Sequence, residues 1–246
     1  MDELIEGRNA VLEALRAGLP IHRIVLAEGL HSSDALAEIQ RLADDGRIAL
    51  SVESRRVLDE MSARGAHQGV IAALAAFDYT SLADVVERNR DEAWSLIVAL
   101  DHVTDPQNLG AIARSAEVAG AHALVIPERR SAAVGAAAFK TSAGALAHLE
   151  VVRTVNLVRA LGELKDAGYW VAGASEHAEQ TVWEAPIEGR TVLVLGGEGT
   201  GLSRLAEESC DYLVRLPVRG RTGSLNVANA ATALMFEWVR RLESSE

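Results

Sequence analysis

Three polar or glycine-rich segments, each following an apolar strand-like run, carry the residue types best suited to chemistry. The first is Asp101-His102-Val103-Thr104-Asp105-Pro106-Gln107-Asn108-Leu109-Gly110, after Leu96–Leu100. Here Asn108 suits the N-cap of an alanine-rich helix that carries Arg114 about one and a half turns in. A capped helix with a solvated arginine accounts for the same residues, and Asp105-Pro106 marks a turn. The second is Gly196-Gly197-Glu198-Gly199-Thr200-Gly201, after Val192–Leu195. Its glycines permit positive φ and close approach of backbone to a ligand. It matches neither the phosphate-binding P-loop nor the Gly-x-Gly-x-x-Gly spacing. Glu198 also puts negative charge where a phosphate would be repelled, so a neutral or cationic ligand fits better, a sulfonium such as S-adenosylmethionine (AdoMet) among them. The third is Arg215-Leu216-Pro217-Val218-Arg219-Gly220-Arg221-Thr222-Gly223-Ser224-Leu225-Asn226-Val227, joining a strand to a long C-terminal helix. Ser224 or Asn226 is expected to cap that helix. Arg219 and Arg221 suit a phosphate contact or, equally, a solvated loop.

Other chemistries find little footing. The histidines show no His-Glu-x-x-His spacing, and with one cysteine there is no Cys/His cluster, so no metal is expected. No Gly-x-Ser-x-Gly elbow is present, and Cys210, beside a strand, reads as core rather than nucleophile. His67-Gln68-Gly69 precedes a strand and reads as turn chemistry in preference to an RNA contact.

The elements that must position these segments alternate from Trp94 onward. Strands are expected over 95–101, 122–126, 169–173, 191–195 and 212–216, and helices over 109–119, 156–167 and 225–241. Such alternation predicts an α/β fold, a mostly parallel sheet with helices on both faces. Ligands of open α/β sheets lie outside the carboxyl ends of the strands, where the three segments fall. Before this region, residues 1–76 read as a small α/β unit. Val11, Leu12 and Leu15 lie at helical spacing, and Arg23–Ala27, Ile48–Val52 and Gly69–Leu74 are strand-like. Helices are expected over Asp34–Asp45, ended by Gly46, and about Ser54–Met61. Residues 77–92 are polar and acidic and are read as a linker, with a helical turn around Val85-Val86.

Composition bounds the partners. The 246 residues are 49% hydrophobic and 24% charged, as in an ordinary globular protein. No apolar run approaches the roughly 18 residues that span a bilayer. The N-terminus, Met1-Asp2-Glu3-Leu4, is acidic and unlike a signal peptide. With a single cysteine, a reducing cytoplasm is the expected compartment. The net charge of −11 is spread along the chain, at −4 over 1–75, −3 over 76–92 and −4 over 93–246. Composition alone does not suggest RNA; an RNA substrate would have to be recognised by a few placed arginines and by shape.

Taken together and in this order, the segments resemble the three motifs of the SpoU/TrmH family of knotted RNA methyltransferases. Asp105–Ala116 resembles the first motif, Leu193–Gly199 the second, and Leu216-Pro217 through Ser224-Leu225-Asn226-Val227 the third, while Lys140-Thr141-Ser142-Ala143-Gly144-Ala145 resembles the family's Lys-x-Ser-x-Gly-Ala stretch. Glu6–Leu15 and His67-Gln68-Gly69-Val70 resemble the L30e-like RNA substrate-binding domain that precedes the catalytic domain in rRNA-modifying members.

The resemblance implies a C-terminal methyltransferase domain over 93–246 with a trefoil knot, a homodimer, and AdoMet held near Gly173, Ala174, Gly196, Leu216 and Leu225. It assigns catalysis to Asn108, Arg114, Glu198, Ser224 and Asn226. It also implies transfer of a methyl group to a ribose 2′-hydroxyl, best matched by a guanosine of 23S rRNA. The same chemistry on tRNA, or a non-catalytic ribosome-assembly factor of this fold, are the alternatives. In the family the arginine matching Arg114 is taken as the base, with the partner subunit as one source of it. Because a guanidinium holds its proton, orienting a phosphate or stabilising a developing alkoxide is the easier role for it.

Overall fold

A computed structural model describes residues 3–62 and 65–245, so Met1 and Asp2 of the acidic N-terminal stretch lie outside it. The chain divides into two compact units, one running to Asp78 and including Gly135–Lys140, the other comprising Tyr79–Val134 and Thr141–Glu246.

The first unit contains β1 (Leu4–Glu6), α1 (Arg8–Arg16), β2 (Ile21–Ala27), α2 (Asp34–Asp45), β3 (Ala49–Glu53), α3 (Arg55–Met61) and β4 (Val70–Leu74). Its sheet runs β1-β4-β2-β3, with β4 antiparallel to both neighbours and β2 parallel to β3. The α2 limits agree with expectation because Ser33 caps the first turn, accepting from Leu36 N, and Gly46 follows the last. β1 was not expected. The His67-Gln68-Gly69 segment is a turn: buried His67 accepts from Gly69 N through Nδ1 and meets Asp59 through Nε2.

The second unit contains α4 (Leu82–Arg88), β5 (Ser95–Asp101), α5 (Pro106–Val118), β6 (Ala123–Pro127), α6 (Ala136–Ser142, shared with the first unit), β7 (Glu150–Thr154), α7 (Leu157–Asp166), β8 (Trp170–Ala174), β9 (Arg190–Gly196), α8 (Arg204–Glu208), β10 (Tyr212–Val214) and α9 (Val227–Ser245). Six strands form a sheet in the order β10-β8-β9-β5-β6-β7, and every pair is parallel. Central β5 is buried throughout and β9 nearly so, as a strand covered on both faces must be. On one face Ile97, Ala99, Val192 and Val194 pack with Leu157, Leu161 and Leu164 of α7 and Val85 of α4. The alternate residues Leu96, Val98, Leu193 and Leu195 are equally buried on the other face. That side belongs to α5 and α9, which pack on each other and against β6 and β9.

The segment 77–92 is not a free linker. Thr80 bridges to Val152, and α4 occupies the centre, where a helical turn was expected, with Val85 fully buried and Asp84 and Glu87 on its solvent face. β7, α6 and α8 are further elements that periodicity did not single out. Among the described residues, no helix is long and apolar enough to cross a membrane.

Candidate active site

The strand order reverses between β9 and β5, since β6 and β7 extend the sheet on one side and β8 and β10 on the other. A crevice outside the carboxyl ends is expected at such a switch point, and the loops after β5, β9 and β10 converge there. At the end of β5, Asp101 is buried, and its carboxylate accepts from Ser203 N at 2.6 Å and meets His102 Nδ1 at 2.5 Å. His102 has φ +60°, in the left-handed region that costs a side chain of this kind of order 1 kcal/mol.

The cap of α5 is Asp105, which accepts from Gln107 N at 2.9 Å with Pro106 in the first turn. Asn108 is therefore not the cap expected from sequence. Its neighbours Asp105-Pro106 form the stronger start signal, which frees the buried Asn108 amide for other contacts.

After β9 the chain doubles back, with Gly201 N donating to Gly197 O. A Cβ on Gly196 would lie 2.1 Å from the Gly201 carbonyl carbon, and one on Gly197 2.5 Å from the His102 carbonyl oxygen. Glycine is thus required at both positions by close backbone approach. At the start of α9, Asn226 Oδ1 accepts from Ala228 N at 2.9 Å, capping the helix as expected. Its Nδ2 donates to Asn108 Oδ1 at 2.9 Å and to Glu198 Oε1. One asparagine thereby ties the first turn of α5 and the start of α9 to the loop after β9.

Two cavities flank this junction. The first, about 470 Å³, is lined by Ala174, Gly196, Glu198, Leu216, Ser224, Leu225 and Asn226 among others. The second, about 700 Å³, is lined by His102, Asp105, Asn108 and Arg130, and shares Glu198 and Thr200 with the first. Eight of the ten expected residues therefore border the junction. Gly173 does not: it is buried in β8, and a Cβ there would lie 2.7 Å from Cys210 Sγ and 2.8 Å from Leu213 Cδ2, so it is a packing glycine. Arg114 is exposed on α5 and lines neither cavity; among the described residues it has no hydrogen bond or ion pair. Arg219 and Arg221 are exposed on the loop before α9. Burial pushes the Cys210 thiol up to about 12, consistent with a core role. His102 and Arg130 were not singled out from sequence. For His102 the available signal was a histidine directly after a buried strand and next to an aspartate.

Residues 95–236 match the model of the SpoU rRNA methylase family, and residues 4–80 match that of an RNA 2′-O ribose methyltransferase substrate-binding domain. An uncharacterized tRNA/rRNA methyltransferase of Mycolicibacterium vanbaalenii is 42% identical over 99% of this chain and 78% of its own. Among solved structures, the SpoU methyltransferase AviRb from Streptomyces viridochromogenes, in complex with AdoMet, is similar with TM-score 0.71 and 29% identity over 99% of this chain and 91% of its own. An AdoMet-bound rRNA methyltransferase from Sinorhizobium meliloti is similar with TM-score 0.66 and 25% identity, over 97% and 87%.

Proposed function

The chain belongs to the SpoU rRNA methylase family, and from that premise we propose that it transfers a methyl group from AdoMet to a ribose 2′-hydroxyl of RNA, a guanosine of 23S rRNA being the favoured target. The observation that carries this reading is the pair of cavities meeting at Glu198, one of cofactor size and one beside it, at the switch point of the sheet.

The first cavity suits AdoMet. Leu216, Leu225 and Val214 offer apolar contacts, and the Gly196 backbone allows close approach. Its charged lining is Glu176, Glu198 and Glu207 against Arg215, an acidic balance that favours a molecule with a sulfonium and an ammonium over one carrying phosphates. When bound there, AdoMet supplies an electrophilic methyl carbon on a positively charged sulfur. The chain must then hold the acceptor hydroxyl in line and take its proton. Asn226, fixed as the α9 cap, holds Glu198 and Asn108 in place at the boundary between the cavities. Ser224 is available on the cofactor side.

Arg114 is exposed and lines neither cavity of its own chain, so a homodimer is the arrangement proposed to bring it to the substrate. A homodimer is supported by the apolar surface beside it: Val118, one turn on along α5, is 64% exposed, and Phe236 of the neighbouring α9 is 43% exposed. In that arrangement the guanidinium orients a phosphate of the RNA. Residues 1–76 are proposed as the L30e-like RNA-binding domain and the fold around α9 as the trefoil knot. The near full-length rRNA methyltransferase neighbour supports rRNA as the preferred substrate over tRNA. A single cysteine and such a substrate fit a cytoplasmic enzyme.

The test is incubation with methyl-labelled AdoMet and separated rRNA and tRNA, followed by mapping of the modified nucleotide. Label at a ribose of 23S rRNA is expected. Label confined to tRNA would move the substrate, and absence of AdoMet binding by calorimetry would overturn the enzyme reading in favour of an RNA-binding factor.

A further inference from the structure

We propose that His102 is the proton acceptor for methyl transfer, oriented by Asp101; this rests on the methyl-transfer reading above. His102 is the first residue past β5 and lines the second cavity together with Asn108, Arg130 and Glu198. Its backbone is held in the left-handed region at φ +60°, a conformation glycine would take without strain. Gly197 makes the room for it, since any Cβ there would press on the His102 carbonyl oxygen. Backbone strain of this kind persists where a site needs a side chain at a particular place.

The ring is oriented as well as placed. His102 Nδ1 lies 2.5 Å from Asp101 Oδ1, while the other carboxylate oxygen is anchored at 2.6 Å by Ser203 N. The carboxylate is nearly inaccessible and cannot turn away, so Nδ1 carries the hydrogen toward it. Nε2 is left with its lone pair and, among the described residues, no hydrogen bond. A carboxylate that fixes a histidine tautomer in this way equips the far nitrogen to take a proton.

The other titratable and charged groups facing this cavity are less suited. An Asp105 oxygen is engaged as the α5 cap, Glu198 accepts from the Asn226 amide, and Arg130 brings a guanidinium that has no acceptor. In the step itself, the ribose O–H bond breaks and its proton passes to His102 Nε2. The oxygen's electron pair forms the new C–O bond, and the pair of the methyl–sulfur bond stays on sulfur. The positive charge of the sulfonium is thereby replaced by that of the imidazolium.

The variant that tests this is His102→Gly, which suits the left-handed backbone and should fold at least as well as the parent. Its kcat is expected to fall about 100-fold, the lower range for loss of a general base, with AdoMet Kd and the KM for RNA within about threefold of wild-type. Added imidazole should restore part of the rate. The acid-side fall in kcat of the wild-type should be absent from the variant. A readout independent of turnover is the ¹⁵N spectrum of the protein without AdoMet, in which the ring signals lost in His102→Gly should report the Nδ1–H tautomer. The Nε2–H tautomer, or a His102→Gly enzyme within about threefold of an active wild-type, would overturn the assignment. If the wild-type neither binds AdoMet nor methylates RNA, the methyl-transfer reading fails and this assignment falls with it.

Discussion

The two ends of the six-stranded sheet are built on opposite principles. At the amino ends, polar side chains are engaged mainly by the chain itself. Arg190, at the start of β9, donates to the carbonyls of Asn89, Arg90 and Glu92 through Nη1 and of Ala167 through Nη2, with its guanidinium over the Tyr169 ring, 4.3 Å from the centroid. Beside it the buried Ser95 hydroxyl meets Tyr169 Oη at 2.8 Å. At the carboxyl ends the chain instead leaves His102, Glu198 and Ser224 facing cavities, and accepts positive φ at a non-glycine residue, His102. At one end the polar side chains turn inward onto carbonyls and hydroxyls of the chain, although the buried Arg190 Nε has no partner among the described residues; at the other they face cavities where a ligand can reach them.

The difference can be broken from either side. The largest expected effect is on the carboxyl end, from Gly196→Val. The added side chain must displace the 197–201 turn, because even a Cβ lies 2.1 Å from the Gly201 carbonyl carbon. AdoMet Kd measured by calorimetry should rise ~1,000-fold, about 4 kcal/mol. Next is Arg190→Ala at the amino end, which removes four carbonyl contacts together and should destabilise the protein by about 3 kcal/mol. Its signature is a lower denaturation midpoint with AdoMet Kd within about threefold of wild-type. If instead Arg190→Ala abolished AdoMet binding at full stability, the division of labour between the ends would be wrong.

The carboxyl end was also the more legible in the sequence. Glycine clusters after apolar runs announce backbone proximity, and the loop after β9 is required to be glycine-rich at Gly196 and Gly197 for that reason. β5 and β9 were legible because strands covered on both faces are continuous apolar runs. β7 was not, since only Val151 and Val152 stand between Glu150 and Arg153 and periodicity needs more than two residues to register. The acidity of 77–92 left only a helical turn around Val85-Val86 legible where α4 runs over Leu82–Arg88, seated by its one fully buried residue, Val85. Asn108 resembles a cap in isolation, but Asp105-Pro106 meets the same requirement three residues earlier and takes the role. Arg114 and His102 mark the limit of such reading. Whether a lone side chain reaches a cavity depends on how loops far apart in the chain close together, and the Asp101–Ser203 contact behind His102 spans such a separation.

The junction between the cavities sharpens the comparison further, because Asn226 serves structure and site at once. Asn226→Asp keeps an oxygen to cap α9 but replaces the amide donor with a second carboxylate beside Glu198. Methyl transfer should fall at least ~10-fold, about 1.4 kcal/mol, with little change in stability because the cap is retained. Asn226→Ala removes the cap as well, and the denaturation free energy should then drop by about 1 kcal/mol. Equal stability of the two variants would show that the cap contributes nothing and that Asn226 is retained for the site alone.

The smallest effect returns to the amino end. Burial holds the His122 imidazole below its ordinary range, with nearby Glu92 opposing and Arg190 reinforcing the shift. In the unfolded chain the same ring binds a proton from roughly pH 6.5 downward. As pH falls through that value toward the lower folded one, the unfolded state takes up more protons, so stability declines over this window and is unaffected well above it. His122→Asn should therefore flatten the fall in denaturation midpoint between about pH 7 and 5. It should leave the pH dependence of methyl transfer untouched, since His122 sits beside Ser95 at the opposite end of β5 from His102. A variant that altered the rate profile and not the stability profile would place the pH-sensitive group at the wrong end of the sheet.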